Sequence, residues 1–353
     1  MSSMTSPFKI AFIGVDNPHG AGWRDLLANI QSEAQLSALV PHFDGSIASL
    51  EEKYSDLPRY ESVSELIAHE QFDAAIVAVS NRHSAAVIEE LAVSGKHILA
   101  EKPVAGRTED ALRIKKAVDA AGVAFQTGYM WRYDDCANRL KRMIAEDRFG
   151  RLISVEAVYA TSDVNRRGPA HYLFDANESY AGFFSWLACH HIDLLQYISG
   201  QDITSVTSRV GNFTDSEVEV EDGGTAILDL DSGAIATLIG GYWIPRWSGE
   251  VRWTIRGSKR WVHWDPTKPE TSGSLEIHGP QPQWYAMEEV YDSPVDSTPG
   301  YGRGPGVALL KDWLAMMRGE VEACRNTTAS MLATVRIVDT ILLASAEGRR
   351  IDL

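Results

Sequence analysis

Apolar and polar positions in the first 125 or so residues alternate between two periods. Short apolar runs at Lys9–Ile13, Gln35–Val40, Ala74–Val79, His97–Ala100 and Val123–Gln126 are bounded by turn formers and read as buried strands. Between them, apolar residues recur at helical spacing in Trp23–Ile30, Ser46–Lys53, Val63–His69, Ser84–Val93 and Thr108–Ala121. The last of these stops at Gly122, a natural C-cap. Strand–helix alternation of this kind predicts an α/β domain, a doubly wound parallel sheet covered on both faces, over residues 1–127.

The pattern changes after Gly128. A helix over Asp134–Glu146 leads into a strand, Leu152–Tyr159, a polar loop and a second helix from Gly182 to Tyr197. Strands then follow without intervening helices: Ile203–Val210, Thr225–Leu230, Ala234–Gly241, Val251–Arg256 and Arg260–His263. Their Gly- and Asp-rich turns predict antiparallel meanders. Pro266–Gly306 is rich in Pro, Gly and Ser and reads as loop, and helices over Val307–Met317 and Thr328–Glu347 close the chain. Residues 128–353 are therefore expected to form a C-terminal α+β domain with a large, mainly antiparallel, open-faced sheet.

Composition narrows the classes of function. The formal charge is −15, and no basic stripe is present to offset it, which argues against a nucleic-acid partner. No apolar run approaches the ~20 residues of a membrane span, and Met1–Pro7 lacks the charged start and apolar stretch of a signal peptide. Cys136, Cys189 and Cys324 are too few and too scattered for a disulfide framework or a zinc knuckle. The expectation is a reduced, cytoplasmic protein that takes a small-molecule substrate.

The first strand ends Ile13-Gly14-Val15-Asp16-Asn17-Pro18-His19-Gly20 before a helix. A glycine there lets the backbone turn sharply, so that free helix N–H groups can face a pyrophosphate. Of the usual G-x-G-x-x-G, only Gly14 fits cleanly; Asp16 stands for the second glycine, His19 for the third, and Gly20 falls one residue late. The Asp16 carboxylate stands where a phosphate would come close, which argues against tight wrapping. An acid at the end of the second strand normally holds the adenosine ribose. Here His42 takes that position and Asp44 follows two residues later, so the reading is NAD, with NADP not excluded, because no arginine stands there.

Three features then act together. Val79-Ser80-Asn81 precedes a helix ending Gly95-Lys96-His97; the next strand runs into Glu101-Lys102-Pro103; and Gln126-Thr127-Gly128-Tyr129-Met130-Trp131-Arg132-Tyr133 opens the second domain. Nearly the whole chain resembles the Gfo/Idh/MocA family of nicotinamide-dependent sugar and polyol oxidoreductases. The resemblance implies a Rossmann-like first domain with cofactor contacts at Gly14, Asp16, His19, His42, Asp44, Ser80, Asn81, Glu101 and Lys102. It also implies that Lys102 reaches the reacting carbon, where an ammonium can stabilise a developing alkoxide or act as a base. Ser84 stands where the family often has a histidine, with His83 beside it.

In the helix Gly182–Leu195, His190 and Asp193 match family positions, and a histidine there can take the hydroxyl proton. Trp186 replaces the family's usual aspartate, either as a stacking platform for a sugar or as a core residue. Arg132 matches a family arginine, while Trp131 replaces a smaller or charged residue. Arg166, Arg167, His171 and Tyr172 lie in a loop that often borders the substrate in that family, although solvent-facing loop residues account for the same pattern. Tyr242–Trp247 can supply aromatic walls. No metal is expected: Cys189, His190 and His191 point about 100° apart on one helix, and His190 with Asp193 gives only two ligands.

The resemblance implies an enzyme moving hydride between a nicotinamide and a secondary hydroxyl or ketone of a sugar, polyol or glycoside. Lys102 and His190 would be its polar catalysts, with Trp131, Arg132, His171, Trp186 and Asp193 on the substrate. Two alternatives stand beside it: a redox-neutral enzyme that oxidises, eliminates and returns the hydride, and a non-catalytic nicotinamide-binding regulator. The open sheet face is expected to be covered in a homodimer or homotetramer.

Overall fold

The computed structural model describes residues 6–16, 19–245, 248–266, 270–279 and 287–353. They divide into two compact units. One holds the described parts of Met1–Met130, with Asn177–Ser179 and Ser297–Ala333. The other holds Trp131–Ala176, Tyr180–Asp296 and Thr334–Leu353. A single boundary at 127/128 thus does not describe the chain, because the segment from Ser297 packs back against the parallel-sheet unit.

The first unit is built on β1 (Phe8–Gly14), β2 (Ala34–Val40), β3 (Ala74–Ala78), β4 (His97–Ala100) and β5 (Phe125–Thr127), all parallel, in the order β2-β1-β3-β4-β5. Helices α1 (Gly20–Leu26), α2 (Ala48–Lys53), α3 (Val63–His69), α4 (Asn81–Val93) and α5 (Thr108–Ala121) join them. The strands are buried along nearly their whole length, which is why they read as continuous apolar runs. Polar signals set the helix ends: Ser62 caps α3 by accepting from Glu65 N, and Gly122 ends α5 in the left-handed region. The strand order reverses between β1 and β3, so their carboxyl ends border the crevice where sheets of this kind bind ligands.

The second unit starts with α6 (Asp135–Ala145), capped by Asp134, and β6 (Leu152–Ser162), and includes part of α7 (Ala176–Ser179) and all of α8 (Cys189–Ser199). The strands β7 (Ile203–Gly211), β8 (Gly223–Leu230), β9 (Ile235–Ile244), β10 (Gly249–Gly257), β11 (Trp261–Asp265), β12 (Ser274–His278), β13 (Met287–Asp292) and β14 (Ile351–Asp352) complete a nine-stranded sheet with β6. Its order is β13-β12-β11-β10-β6-β9-β8-β7-β14, with the β6–β9 pair parallel and the other pairs antiparallel. Val155, Ala157, Leu228, Leu238 and Trp253 are buried on the sheet, while Ile227, Ile235 and Ile239 are exposed.

Three expectations are corrected. Pro266–Gly306 is not all loop: β12 and β13 lie within it. Both are short and carry charge. Glu288 of β13 pairs with Arg260 and Glu289 with Arg139, as befits an edge strand that resists further pairing. The helix read as continuous over Gly182–Tyr197 opens with a wider π-turn at Phe184–Ala188 before α8. Finally, the closing helices are α9 (Arg303–Met317) and α10 (Thr328–Glu347), and the latter has 20 residues and a mean hydropathy of 1.5, long and apolar enough to cross a membrane. It is instead tied to the sheet. Ser208 donates to Ile341 O at 2.5 Å, and Val210 N donates to Ser345 Oγ at 2.9 Å.

Candidate active site

The β1–α1 turn is held from inside. Gly14 has a φ of +131°, and a Cβ there would fall 2.0 Å from Ala78 O; one on Gly20 would fall 2.0 Å from Val15 O. Side chains at either place would push β1, β3 and α1 apart, so the late glycine does close-packing work that the usual spacing assigns elsewhere. The Asp16 carboxylate does not project from the turn. It accepts from Ser49 N (2.9 Å), Ser49 Oγ (2.6 Å) and the buried Arg24 (3.0 Å). Burial raises its pKa, but these partners more than compensate and hold it below the usual carboxylate range. Asn17 and Pro18 lie outside the described residues.

At the end of β4, Glu101 and Lys102 are almost completely enclosed, at 6% and 1% exposed. The Glu101 carboxylate meets His19 Nδ1 at 2.8 Å, accepts from Trp23 Nε1 and lies 3.9 Å from Lys102 Nζ. Burial pushes this carboxyl up, yet His19, Lys102 and Trp23 together bring it below its ordinary value. His19 stacks on Tyr301 at 4.5 Å, and Tyr301 presents its ring edge-on to Trp23. Glu101 is thus a fixed anion beside the Lys102 ammonium.

The remaining first-unit candidates differ in exposure. Ser80 Oγ donates to Glu178 at 2.7 Å and Asn81 Nδ2 to Ser179 O at 2.8 Å, so both hold the Asn177–Ser179 segment. His42 and Asp44 are exposed; His42 Nε2 stands 3.5 Å from Glu61. Ser84 is buried on α4, and His83 lies edge-on to Phe43.

In the second unit the candidates gather around an aromatic cluster. The His190 ring stacks on Trp131 at 4.7 Å. His191 stacks on Trp253 at 5.3 Å, meets Trp131 edge-on at 5.1 Å and lies 4.9 Å from Tyr159. Neither ring nitrogen of His191 has a hydrogen-bond partner among the described residues, and burial pushes its pKa down to about 3. Arg132 and Asp193 answer each other through two bonds, Nε to Oδ2 at 2.9 Å and Nη2 to Oδ1 at 2.7 Å, both groups being buried. Burial raises the Asp193 pKa against the opposing pull of Arg132. This pair clamps α8 to the residue next to Trp131.

Trp186 is 2% exposed and packs edge-on against Tyr172 at 6.0 Å. It belongs to the π-turn, whose start is fixed by the buried Glu221 carboxylate accepting from Gly182 N (2.7 Å) and Phe184 N (2.9 Å). His171 stacks on Tyr172 at 4.8 Å, and its pKa falls to about 4 through burial and the nearby Arg167. Tyr159 and Glu221 were not singled out in the sequence; the first is one aromatic among many in a strand, and the second one acid in a polar loop. Trp247 and Arg246 lie outside the described residues. Among the described residues no group of three or more His, Cys, Asp or Glu is placed to hold a metal ion, and the three cysteines form no disulfide with one another.

Residues 8–129 match the family model for the oxidoreductase family with an NAD-binding Rossmann fold, and residues 137–263 match that for the GFO/IDH/MocA C-terminal domain. The chain belongs to the Gfo/Idh/MocA family. Its first domain is the NAD-binding Rossmann domain of that oxidoreductase family, and the chain spans about three fifths of the length of the curated relatives named below. The 2,7-anhydro-N-acetylneuraminate hydratase of Escherichia coli is 25% identical over 251 residues, which span 68% of this chain and 63% of that protein. The myo-inositol 2-dehydrogenase of Thermotoga maritima is 27% identical over 58% of this chain and 60% of its own length. In fold, the chain is similar to levoglucosan dehydrogenase solved with NADH and levoglucosan. That match has a TM-score of 0.85 and 16% identity, covering 98% of this chain and 99% of that one.

The crevice residues of this family member fit the cofactor. Gly14 leaves the carboxyl end of β1 against β3 without a side chain, and the Asp16 charge is turned into the protein toward Arg24 and Ser49, away from a phosphate's path.

Proposed function

We propose that this oxidoreductase acts on a secondary hydroxyl or ketone of a sugar, polyol or glycoside, with Lys102 and His190 as its polar catalysts. The observation that carries the reading is the enclosed Lys102 at the carboxyl end of β4, with Glu101 held beside it by His19 and Trp23. Gly14, the β1–α1 turn, Ser80, Asn81 and the exposed Asp44 would hold the dinucleotide, which when bound supplies the hydride acceptor or donor. Lys102 donates to the carbinol oxygen and stabilises the charge that develops there. Glu101 keeps the ammonium oriented. His190, its ring fixed against Trp131, takes or returns the hydroxyl proton at a ring nitrogen.

The test is a panel of free sugars, polyols and glycosides with stoichiometric NAD or NADP, following nicotinamide absorbance and product together. Sustained reduction matched by oxidised product is expected, and Lys102→Met and His190→Ala should each lose it while still binding cofactor. Full activity in either variant would remove that residue from the mechanism. The redox-neutral alternative is favoured by Trp186, which brings no carboxylate to the place of the family's aspartate, and by the hydratase among the relatives. It predicts product without net reduction. The regulator reading is disfavoured by the presence of both Lys102 and His190.

The exposed Ile227, Ile235 and Ile239 share one face of β8 and β9, and a second copy of the chain would cover them. Ile239→Lys should then disperse a homo-oligomer into monomers on size-exclusion chromatography with light scattering. An unchanged mass would assign the face to something else. Three buried cysteines that form no disulfide with one another suit a cytoplasmic location.

A further inference from the structure

The loop after β6 carries one guanidinium, that of Arg167, with no partner among the described residues. Val164–Arg166 form one tight helical turn over the buried Val164, and Arg167 N and Gly168 N both donate to Val164 O, at 3.1 and 3.0 Å. The two arginines are therefore presented on an ordered turn. Arg167 is half-buried, yet its guanidinium makes no hydrogen bond and no ion pair among the described residues. A partly desolvated arginine normally finds a carboxylate.

Polar groups with the same need lie around it. Tyr159 of β6 and Tyr242 of β9 are two positions apart in the parallel register, Thr161 being opposite Tyr242, and both rings pack on Phe183. Neither hydroxyl has a hydrogen-bond partner among the described residues. Burial raises both phenols, Tyr159 to about 12, so both remain O–H donors, and Arg167 pulls against the rise at each. His171 accepts Leu173 N on Nδ1, which in the neutral ring leaves its proton on Nε2. The nearby Glu221 carboxylate, which acts on Tyr242, is committed to Gly182 N and Phe184 N. Tyr159 lies 6.2 Å from Trp131, the ring on which His190 stacks.

We propose that Arg167, the Tyr159 and Tyr242 hydroxyls and the Nε2–H of His171 form an oxyanion subsite, and that the substrate carries a carboxylate or a phosphate. Arg167, with the Arg166 guanidinium next to it in the turn and neutral donors nearby, suits a group with several acceptor oxygens and no donor, and a neutral polyol would leave the Arg167 guanidinium unanswered. The inference rests on the function proposed above.

The probes are D-glucuronate and D-gluconate for the carboxylate, D-glucose 6-phosphate for the phosphate, and D-glucose and myo-inositol as neutral counterparts. Each is assayed for nicotinamide turnover and for quenching of intrinsic tryptophan fluorescence, with the whole chain as wild type, Arg167→Gln, Arg167→Lys and the exposed-site control Arg252→Gln. One acidic class should bind about 30-fold more tightly than its neutral counterpart, and Arg167→Gln should erase that preference by weakening the acidic probe alone, with binding of the neutral counterpart unchanged. Arg167→Lys should keep part of it, and Arg252→Gln all of it. The preferred acidic class tells carboxylate from phosphate. Equal binding of neutral and acidic probes, or a preference that survives Arg167→Gln, overturns the subsite. If no probe is turned over, the quenching titration still decides the subsite, and the missing turnover counts against the function alone.

Discussion

The candidate residues of the two units differ in what surrounds them. Around Lys102 carboxylates are answered: Glu101 meets His19, Trp23 and the lysine, and Asp16 meets Ser49 and one nitrogen of Arg24, whose Nε and Nη1 find no partner among the described residues. Around His190 rings predominate, and among the described residues both nitrogens of His191, the guanidinium of Arg167 and the hydroxyls of Tyr159 and Tyr242 have no partner. A satisfied network fixes one geometry and one charge state. Unanswered donors cost stability, and a protein keeps them where a ligand repays the desolvation. The contrast fits the function proposed above, in which Lys102 is held in place by its neighbours and the second unit's residues meet the substrate.

The largest effect separates the units by chemistry. Lys102→Met should lower kcat by about a thousandfold while NADH affinity, read by cofactor fluorescence, changes little. His190→Ala should cost about a hundredfold or more, in proton transfer. Equal and total loss of cofactor binding in both would show that the variants had lost structure instead.

Next comes the buried Arg132–Asp193 pair of the aromatic unit. Asp193→Asn leaves the buried Arg132 without its counter-charge and should cost about 3–5 kcal/mol in urea unfolding. A cost under about 1 kcal/mol would mean that water or a neighbour replaces the carboxylate.

Acid sharpens the comparison further. His191 titrates near 6.5 in the unfolded chain and at about 3 when folded, so the unfolded state binds the extra proton as pH falls below 6.5. Its contribution is complete above that value and is lost on acidification, by about 2 kcal/mol at pH 5. Glu101 has its pKa lowered by folding, and its contribution is lost only below about 4.5. Asp193 and Glu221, raised by burial, act in the opposite sense, so the informative quantity is the difference between wild type and His191→Phe. That difference should open between pH 6.5 and 5. Parallel curves would show that His191 reaches water.

The smallest effect is on a surface. Ile239→Lys replaces a side chain that is 45% exposed and should change association without changing the stability of the single chain by more than about 0.5 kcal/mol.

Legibility followed the range of the interactions. Thr108–Ala121 and Thr328–Glu347 were readable to the residue because helical periodicity and terminal signals are local. β12 and β13 were missed because Ser274–His278 alternates polar and apolar over only five residues inside a Pro-, Gly- and Ser-rich stretch, and β13 is an edge strand defined by its partner. Candidate residues divided in the same way. Their identity could be taken from motifs, but Arg132 and Asp193 find each other across 61 residues, and Ser80 reaches Glu178 across 98. No spacing rule carries information of that range.

The sequence by itself determined the alternation of elements, the parallel and antiparallel halves, and the Glu101–Lys102 and His190 motifs, since each is written within a few turns of chain. Only the tertiary structure decided which charges are spent and which remain. Asp16, Arg132 and Asp193 are neutralised by distant partners, whereas Arg167 has no partner among the described residues. Pairing depends on which surfaces meet at about 3 Å, and burial in a low-dielectric interior then makes a missing partner costly.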